Sequence, residues 1–218
     1  MKKFMLSLLI LAGAFTAVLA FHACSADDEA EEPQHSPQAQ LLLQKSREFA
    51  KKYNVNMTLN EDNIEETAKT LSVEEMDSMY MAFSHLRIDV PIRVNSNVAA
   101  KTKNKIRIRK LKPVLEDDRP KTYSGTVSGD DSNAALGIYV SADASWIYSE
   151  SGSQHVHLTV DYQHKSCHDS SDKNFTPIFY TAGDTPSFEL KDSAKLKCDH
   201  FTITGQVSMT EKELKVKF

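Results

Sequence analysis

The chain reads as an α+β fold: a short N-terminal helical unit followed by an antiparallel β-sandwich-like domain. Two observations predict it. Ahead of residue 87 the apolar residues recur at helical spacing, whereas from Tyr123 onward they mostly alternate at period two. The alternating region is also punctuated by turn signals: Gly129-Asp130-Asp131-Ser132-Asn133, Ser151-Gly152-Ser153, Gly183-Asp184-Thr185-Pro186 and Asp192-Ser193. Helices gathered ahead of short strands at this spacing describe an α+β architecture.

The first helix is expected over 37–53, with Ser36 as N-cap and Pro37 in the first turn. It carries Leu42, Phe49 and Tyr53 on one stripe, with Lys45, Arg47, Glu48 and Lys51 largely off it. A second helix is expected over 61–70, capped by Asn60, with Ile64, Ala68 and Leu71 on one face. The third starts at Ser72, where Ser72-Val73-Glu74-Glu75 is a capping box. It turns Met76, Met79, Tyr80 and Phe83 inward as far as Leu86, which reads as helix-packing core. Residues 87–94 alternate as a strand does, but Pro91 confines that strand to an edge or breaks it. Strands are then expected at 122–128, 135–141, 145–150, 154–163, 175–180, 186–190, 200–208 and 212–218. No internal repeat is present.

The start of the chain speaks of location. Lys2 and Lys3 lead into an apolar run over 4–21, and Phe21-His22-Ala23-Cys24 is followed by the acidic stretch Asp27-Asp28-Glu29-Ala30-Glu31-Glu32. A basic start, an apolar stretch and small residues make an export signal. The Ala-Cys junction resembles the lipobox of bacterial lipoproteins, and the acidic run looks like the export signal of Bacteroidota surface lipoproteins. The resemblance covers only about the first 30 residues. It implies lipidation at Cys24, an outer-membrane, cell-surface location and a membrane partner reached through the lipid anchor. The rival is cleavage after Ala20, which releases a periplasmic or secreted protein. The organisation expected is a signal at 1–23, an acidic tether at 24–36, a helical unit at 37–86, a basic connecting segment at 87–121 and an antiparallel β-domain at 122–218.

Composition narrows the class. Hydrophobic content of 40% and charged content of 26% are those of an ordinary globular protein. A net charge of −4 argues against nucleic-acid binding. Lipidation of Cys24 leaves Cys167 and Cys198 of the 3 cysteines, an even pair in an oxidising compartment. They are expected to form a disulfide contributing roughly 3 kcal/mol.

Three constellations carry candidate chemistry. In the basic stretch 101–112, an extended backbone projects Lys101, Lys103, Lys105, Arg107 and Arg109 from one face, an anion-binding strip or a solvated edge. In the 146–161 hairpin, taking Ser151-Gly152 as a two-residue turn sets Tyr148 opposite His155 and Trp146 opposite His157. That register puts Trp146, Tyr148, His155, His157, Thr159 and Asp161 on one face and Ile147, Val156, Leu158, Val160 and Tyr162 on the core face. Aromatic rings beside polar groups suit sugar rings, so Trp146, Tyr148, His155, His157 and Asp161 form the expected ligand site. A different turn length swaps the pairing and sends Trp146 into the core. Finally, His164, Cys167, His168, Cys198 and His200 offer zinc donors, but a Cys167–Cys198 disulfide consumes both thiolates, and no metal site is expected.

No phosphate loop, nucleophile elbow or HExxH helix occurs, so neither an enzyme nor a cofactor is expected. The expected function is a non-catalytic surface lipoprotein binding a glycan or other envelope polymer. The alternative is a structural or protein-interaction lipoprotein of the envelope, in which the helices dock a partner and the aromatic hairpin is core.

Overall fold

A computed structural model of the chain describes residues 35–97, 120–165 and 167–218. The helices form where local chemistry asks for them. α1 spans Pro37–Tyr53; the Ser36 hydroxyl accepts from Ala39 N at 3.3 Å, and Asn54 ends the helix in the left-handed region at φ 54°. A single 3-10 turn, Glu61–Asn63, leads into α2, Ile64–Thr70. α3 spans Val73–His85 behind the expected capping box: Glu75 N donates to Ser72 Oγ at 3.1 Å, and Ser72 N to Glu75 Oε2 at 3.1 Å. Met76, Met79, Tyr80 and Phe83 are all buried, as the helical spacing predicts.

Among the described residues the strands make two antiparallel five-stranded sheets. Sheet A contains β1 (Met57–Leu59), β2 (Arg87–Pro91), β8 (Glu189–Lys197), β9 (Phe201–Thr210) and β10 (Glu213–Lys217). β9 is its centre. Ile203 pairs with both Met57 and Leu196, and Met209 with both Leu214 and Leu190, so β8 runs along one edge while β1 and β10 share the other. Among the described residues β2 pairs only with β10, consistent with the edge position that Pro91 demands. Sheet B is a meander of β3 (Arg93–Asn97), β4 (Thr122–Asn133), β5 (Ile138–Ser149), β6 (Gln154–His164) and β7 (Cys167–Phe175).

Residues 36–218 form one compact unit with one core, so the helical segment is not separate from the β-domain. β1, lying between helices in sequence, pairs with β9, and the stretch read as a connecting segment supplies β2 and β3. The chain passes from sheet A to sheet B at Ile92, whose N–H donates to Lys212 O at 2.6 Å. α3 sets Phe83 among Tyr162 of β6 (5.8 Å), Phe218 (6.3 Å) and Phe201 of β9 (6.4 Å), joining helix and both sheets. Buried Tyr80 ties the first elements together: its hydroxyl donates to Met57 O at 2.7 Å and takes a hydrogen bond from Ser46 Oγ at 2.7 Å. Burial pushes its pKa upward.

Two expected strands move. No strand forms over 175–180, where only a bridge joins Tyr180 to Ser187. Instead β7 and a longer β8 flank that loop. The polar run Cys-His-Asp-Ser-Ser-Asp-Lys-Asn-Phe hides β7, because its inward side meets β8 through polar groups rather than apolar ones. Lys173 Nζ bonds Asp192 Oδ2 and Ser193 O, each at 2.6 Å, and Asp169 accepts from Lys197 N. Cys167 and Cys198 are disulfide-bonded with Cα atoms 5.7 Å apart, closing a 31-residue separation across the same seam. Chain-entropy reasoning assigns that loop roughly 3–4 kcal/mol.

On the opposite seam the sheets meet through glycine. A Cβ on Gly129 lands 2.8 Å from Val90 Cγ1, and one on Gly125 lands against Trp146 Nε1 and 2.7 Å from Ile92 Cγ2. Neither the indole nor the Ile92 branch is a flexible tip that swings clear. Gly125→Ala should therefore cost about 1–3 kcal/mol through overpacking. Urea unfolding of the variant checks this, and an unchanged midpoint contradicts the packing of Trp146 over Gly125.

Candidate functional site

The hairpin expected to carry the ligand site forms, but in a different register. Four residues, 150–153, join β5 to β6; Ser149 N bonds Ser153 O at 2.9 Å, and the last ladder pair is Tyr148 with Gln154. Ile147 therefore faces His155, Trp146 faces Val156 and Ser145 faces His157. A one-residue slip sends a whole strand's side chains to the other face. The expected platform is split as a result. Trp146 (2% exposed) and Tyr148 (9%) point into the core with Val156, Leu158 and Val160, while His155, His157 and Asp161 point outward.

The inward aromatics are fully occupied. Trp146 meets Phe188 edge-on at 5.7 Å and Phe179 at 6.3 Å, and Tyr148 meets Phe179 at 5.3 Å and Tyr123 at 6.4 Å. The loop between β7 and β8 covers this cluster, fastened by Tyr123 Oη donating to Asp184 O at 2.9 Å. Its neighbouring Ile178 and Tyr180 stay exposed. Trp146 Nε1 and Tyr162 Oη are buried with no hydrogen-bond partner among the described residues, and burial raises the Tyr162 pKa.

The central rows of the outer face of sheet B are polar, with Tyr139 and Ile147 in the rows beyond them. Across β4, β5, β6 and β7 run Thr126–Ser145–His157–Asn174, Ser128–Asp143–Thr159–Asp172 and Asp130–Ser141–Asp161–Ser170. His157 is its best-held group. Nδ1 lies 3.0 Å from Asn174 Oδ1 and 3.5 Å from Asp172 Oδ1, and Nε2 lies 3.4 Å from Thr159 Oγ1. Hydroxyl, imidazole and carboxylate in that order resemble a nucleophile relay. β6 is laddered on both sides over 156–164, so the backbone N–H groups around His157 are taken up by the sheet. Among the described residues, no group of three or more His, Cys, Asp and Glu side chains is placed to hold a metal ion.

The histidine–cysteine constellation is brought together around the disulfide. His164, Cys167, Cys198 and His200 line one pocket of about 240 Å³. The sulfurs are committed to each other. His200 Nδ1 pairs with Thr67 Oγ1 at 2.9 Å, and His164, stacked near Tyr162 and Phe201, is held below the usual histidine pKa by burial and by Lys165. His168 is exposed on the outer face of sheet B, opposite Gln163. The basic strip Lys101, Lys103, Lys105, Arg107 and Arg109, and Cys24, lie outside the described residues.

Charge collects instead on the outer face of sheet A, which the sequence reading passed over. One row reads Lys191–Ser208–Lys215–Asp89 and the next Ser193–Gln206–Lys217–Arg87, followed by Lys195–Thr204 and Lys197–Thr202–Thr58. Glu189 holds Lys191 at 2.6 Å and Glu213 holds Lys215 at 2.8 Å, hydrogen bonds that raise both lysine pKa values. Lys195, Lys197, Lys217 and Arg87 meet no carboxylate among the described residues. None of the exposed large apolar side chains (Leu41, Met81, Val94, Tyr139, Ile178, Tyr180) lies on this face. The signal was present at period two in Ala194-Lys195-Leu196-Lys197 and Leu214-Lys215-Val216-Lys217. A cleft of about 460 Å³ opens beside it, lined by residues of α1, β9 and β10.

Compared with models of protein families, with curated proteins and with solved structures, the chain matches none. Function therefore rests on this geometry alone. The placement of Trp146 has a direct reading: its emission should be blue-shifted and resist iodide quenching in the folded chain. Red, readily quenched emission would return the indole to solvent and overturn the register.

Proposed function

We propose that the chain is a non-catalytic lipoprotein of the cell surface that binds an acidic envelope glycan along the outer face of sheet A. One observation carries the reading: lysines without carboxylate partners among the described residues project from β8 and β10, the strands on either side of β9, on one face of the sheet. Residues two apart on a strand project their side chains about 7 Å from one another. Lys195 and Lys197 thus offer a linear polyanion successive charges, and Thr202, Thr204, Gln206 and Ser208 stand between the strands' cations as hydrogen-bonding partners for hydroxyls. A protein partner is a poorer fit to this face, because interface cores are built on aromatic and apolar side chains and none is exposed here. The hairpin site read from the sequence is not part of the proposal, since its aromatics are core.

Cys24 is the proposed acylation site, anchoring the domain through more than one chain. No helix among the described residues is long and apolar enough to cross a membrane. Labelled palmitate should enter the chain in a bacterial host and be lost in Cys24→Ser; labelling that survives the substitution defeats the anchor.

A second reading has its own observation. Ile178 (74% exposed) and Tyr180 (60%) flank half-buried Phe179 on the β7–β8 loop, an apolar tip rooted against the core and suited to a protein partner. The two readings separate on a column. At low ionic strength the mature chain should be retained on immobilised polygalacturonate or dextran sulfate, pass through neutral dextran and elute with salt. Lys195→Gln with Lys197→Gln should elute earlier. Passage through both polyanion resins removes the glycan reading and leaves the loop.

A further inference from the structure

The cleft beside sheet A is a notch in the sheet itself. Along one edge of β9, β10 reaches Lys217 opposite Gln206, and β1 takes over from Met57 opposite Ile203. Between them Asn56 O accepts from Thr204 N at 2.8 Å. The last turns of α1 wall the gap. That wall is fixed from beneath by buried Leu42 and by the Ser46–Tyr80–Met57 chain of hydrogen bonds. Arg47 and Lys51 of α1 and Lys217 of β10 line the notch, and no acidic side chain does.

These charges meet no side-chain carboxylate among the described residues, unlike others on the same helix. Lys45 bonds Glu48 at 2.6 Å and Lys52 bonds Asp77 at 3.0 Å. Arg47, Lys51 and Lys217 meet no carboxylate among the described residues, and the side chains of Asn54, Asn56, Thr204 and Gln206 hydrogen-bond to no other described residue. Basic residues commonly end helices because they complement the partial negative charge there. That accounts for Lys51, in the last turn, but not for Arg47 one turn earlier or Lys217 on a strand. The same partial charge opposes an anion; of the last carbonyls, Ala50 O is bonded by Asn54 N and Val55 N, so the three cationic side chains have to outweigh what the others contribute. Gathered cations raise one another's energy, and an anion between them relieves it.

We infer that this notch binds the oxyanion of one acidic sugar, a carboxylate or a sulfate ester, as the anchoring subsite of the polymer proposed above. The inference rests on that reading for its ligand class. Arg47 presents a planar fork that matches either group with two parallel hydrogen bonds, and Lys51 and Lys217 add point charges. The amides of Asn54, Asn56 and Gln206 and the Thr204 hydroxyl provide donors and acceptors for neighbouring sugar hydroxyls.

Two measurements on the mature chain test it. Sodium galacturonate and sodium sulfate are titrated separately, with sodium chloride at matched ionic strength, and the side-chain amide signals of Asn54, Asn56 and Gln206 are followed by NMR. Saturable shifts with an oxyanion but not chloride support the subsite, and the stronger arm says whether it takes carboxylate or sulfate. Absence of saturable shifts in both arms overturns it. Affinity for an acidic oligosaccharide is then compared between Arg47→Gln/Lys51→Gln/Lys217→Gln and the control Lys45→Gln/Lys52→Gln, both on surface positions. The notch variant should lose at least about tenfold and the control about twofold or less. Equal losses, with the wild-type chain still binding, refute the notch while leaving the glycan face standing. Saturable amide shifts in a chain that binds no polymer refute the glycan face and keep the anion subsite.

Discussion

The register of the β5–β6 hairpin is the constraint on which the arrangement of this protein turns. Four residues, rather than two, join the strands, and that difference sends Trp146 and Tyr148 inward. Inward, Trp146 has to lie against the neighbouring strand, and Gly125, its direct partner on β4, leaves the space. The β7–β8 loop then closes over the ring cluster with Phe179 and Phe188. The same register sends His155, His157, Thr159 and Asp161 to solvent, where the histidines stand without the aromatic partners a sugar platform needs.

Closure of the sandwich is achieved by different means on its two seams. Where β2 crosses β4, glycine at 129 allows Val90 and Ile88 to approach the opposing backbone. Where β7 meets β8, a disulfide, a lysine–aspartate pair and a carboxylate bonded to a backbone N–H replace apolar packing. The polar seam keeps β7 in place with little hydrophobic burial of its own. The helices complete the core by contributing Met76, Tyr80 and Phe83, so the domain depends on both ends of its sequence.

With Trp146 and Tyr148 buried, the protein is left with two sheet faces of opposite character. Sheet B shows Asp130, Asp143, Asp161 and Asp172 among hydroxyls and histidines, and sheet A shows rows of lysine. The net charge of −4 conceals this division, because a sum over the chain says nothing about where charges meet. Recognition on such faces relies on several weak, salt-sensitive contacts in place of one deep pocket.

The sequence by itself determined what depends on near neighbours. The caps Ser36 and Ser72, the proline at the start of α1 and the inward stripe of α3 are each decided within a few residues, and each stands as read. The Cys167–Cys198 bond was legible by counting, since one pair remained. The strands were legible where apolar residues alternated without an intervening turn signal, as in β6 and β9; β8 was cut short because Asp192-Ser193 reads as a turn, and β7 was illegible because its buried side is polar. Only the tertiary structure decided register, because turn length cannot be read from Ser151-Gly152 alone and a slip of one residue inverts a face. It also decided that residues as distant as Arg47 and Lys217 line one notch. Charges brought together from separate elements leave no local pattern; they become a site only when the sheet edge and the helix end are held side by side.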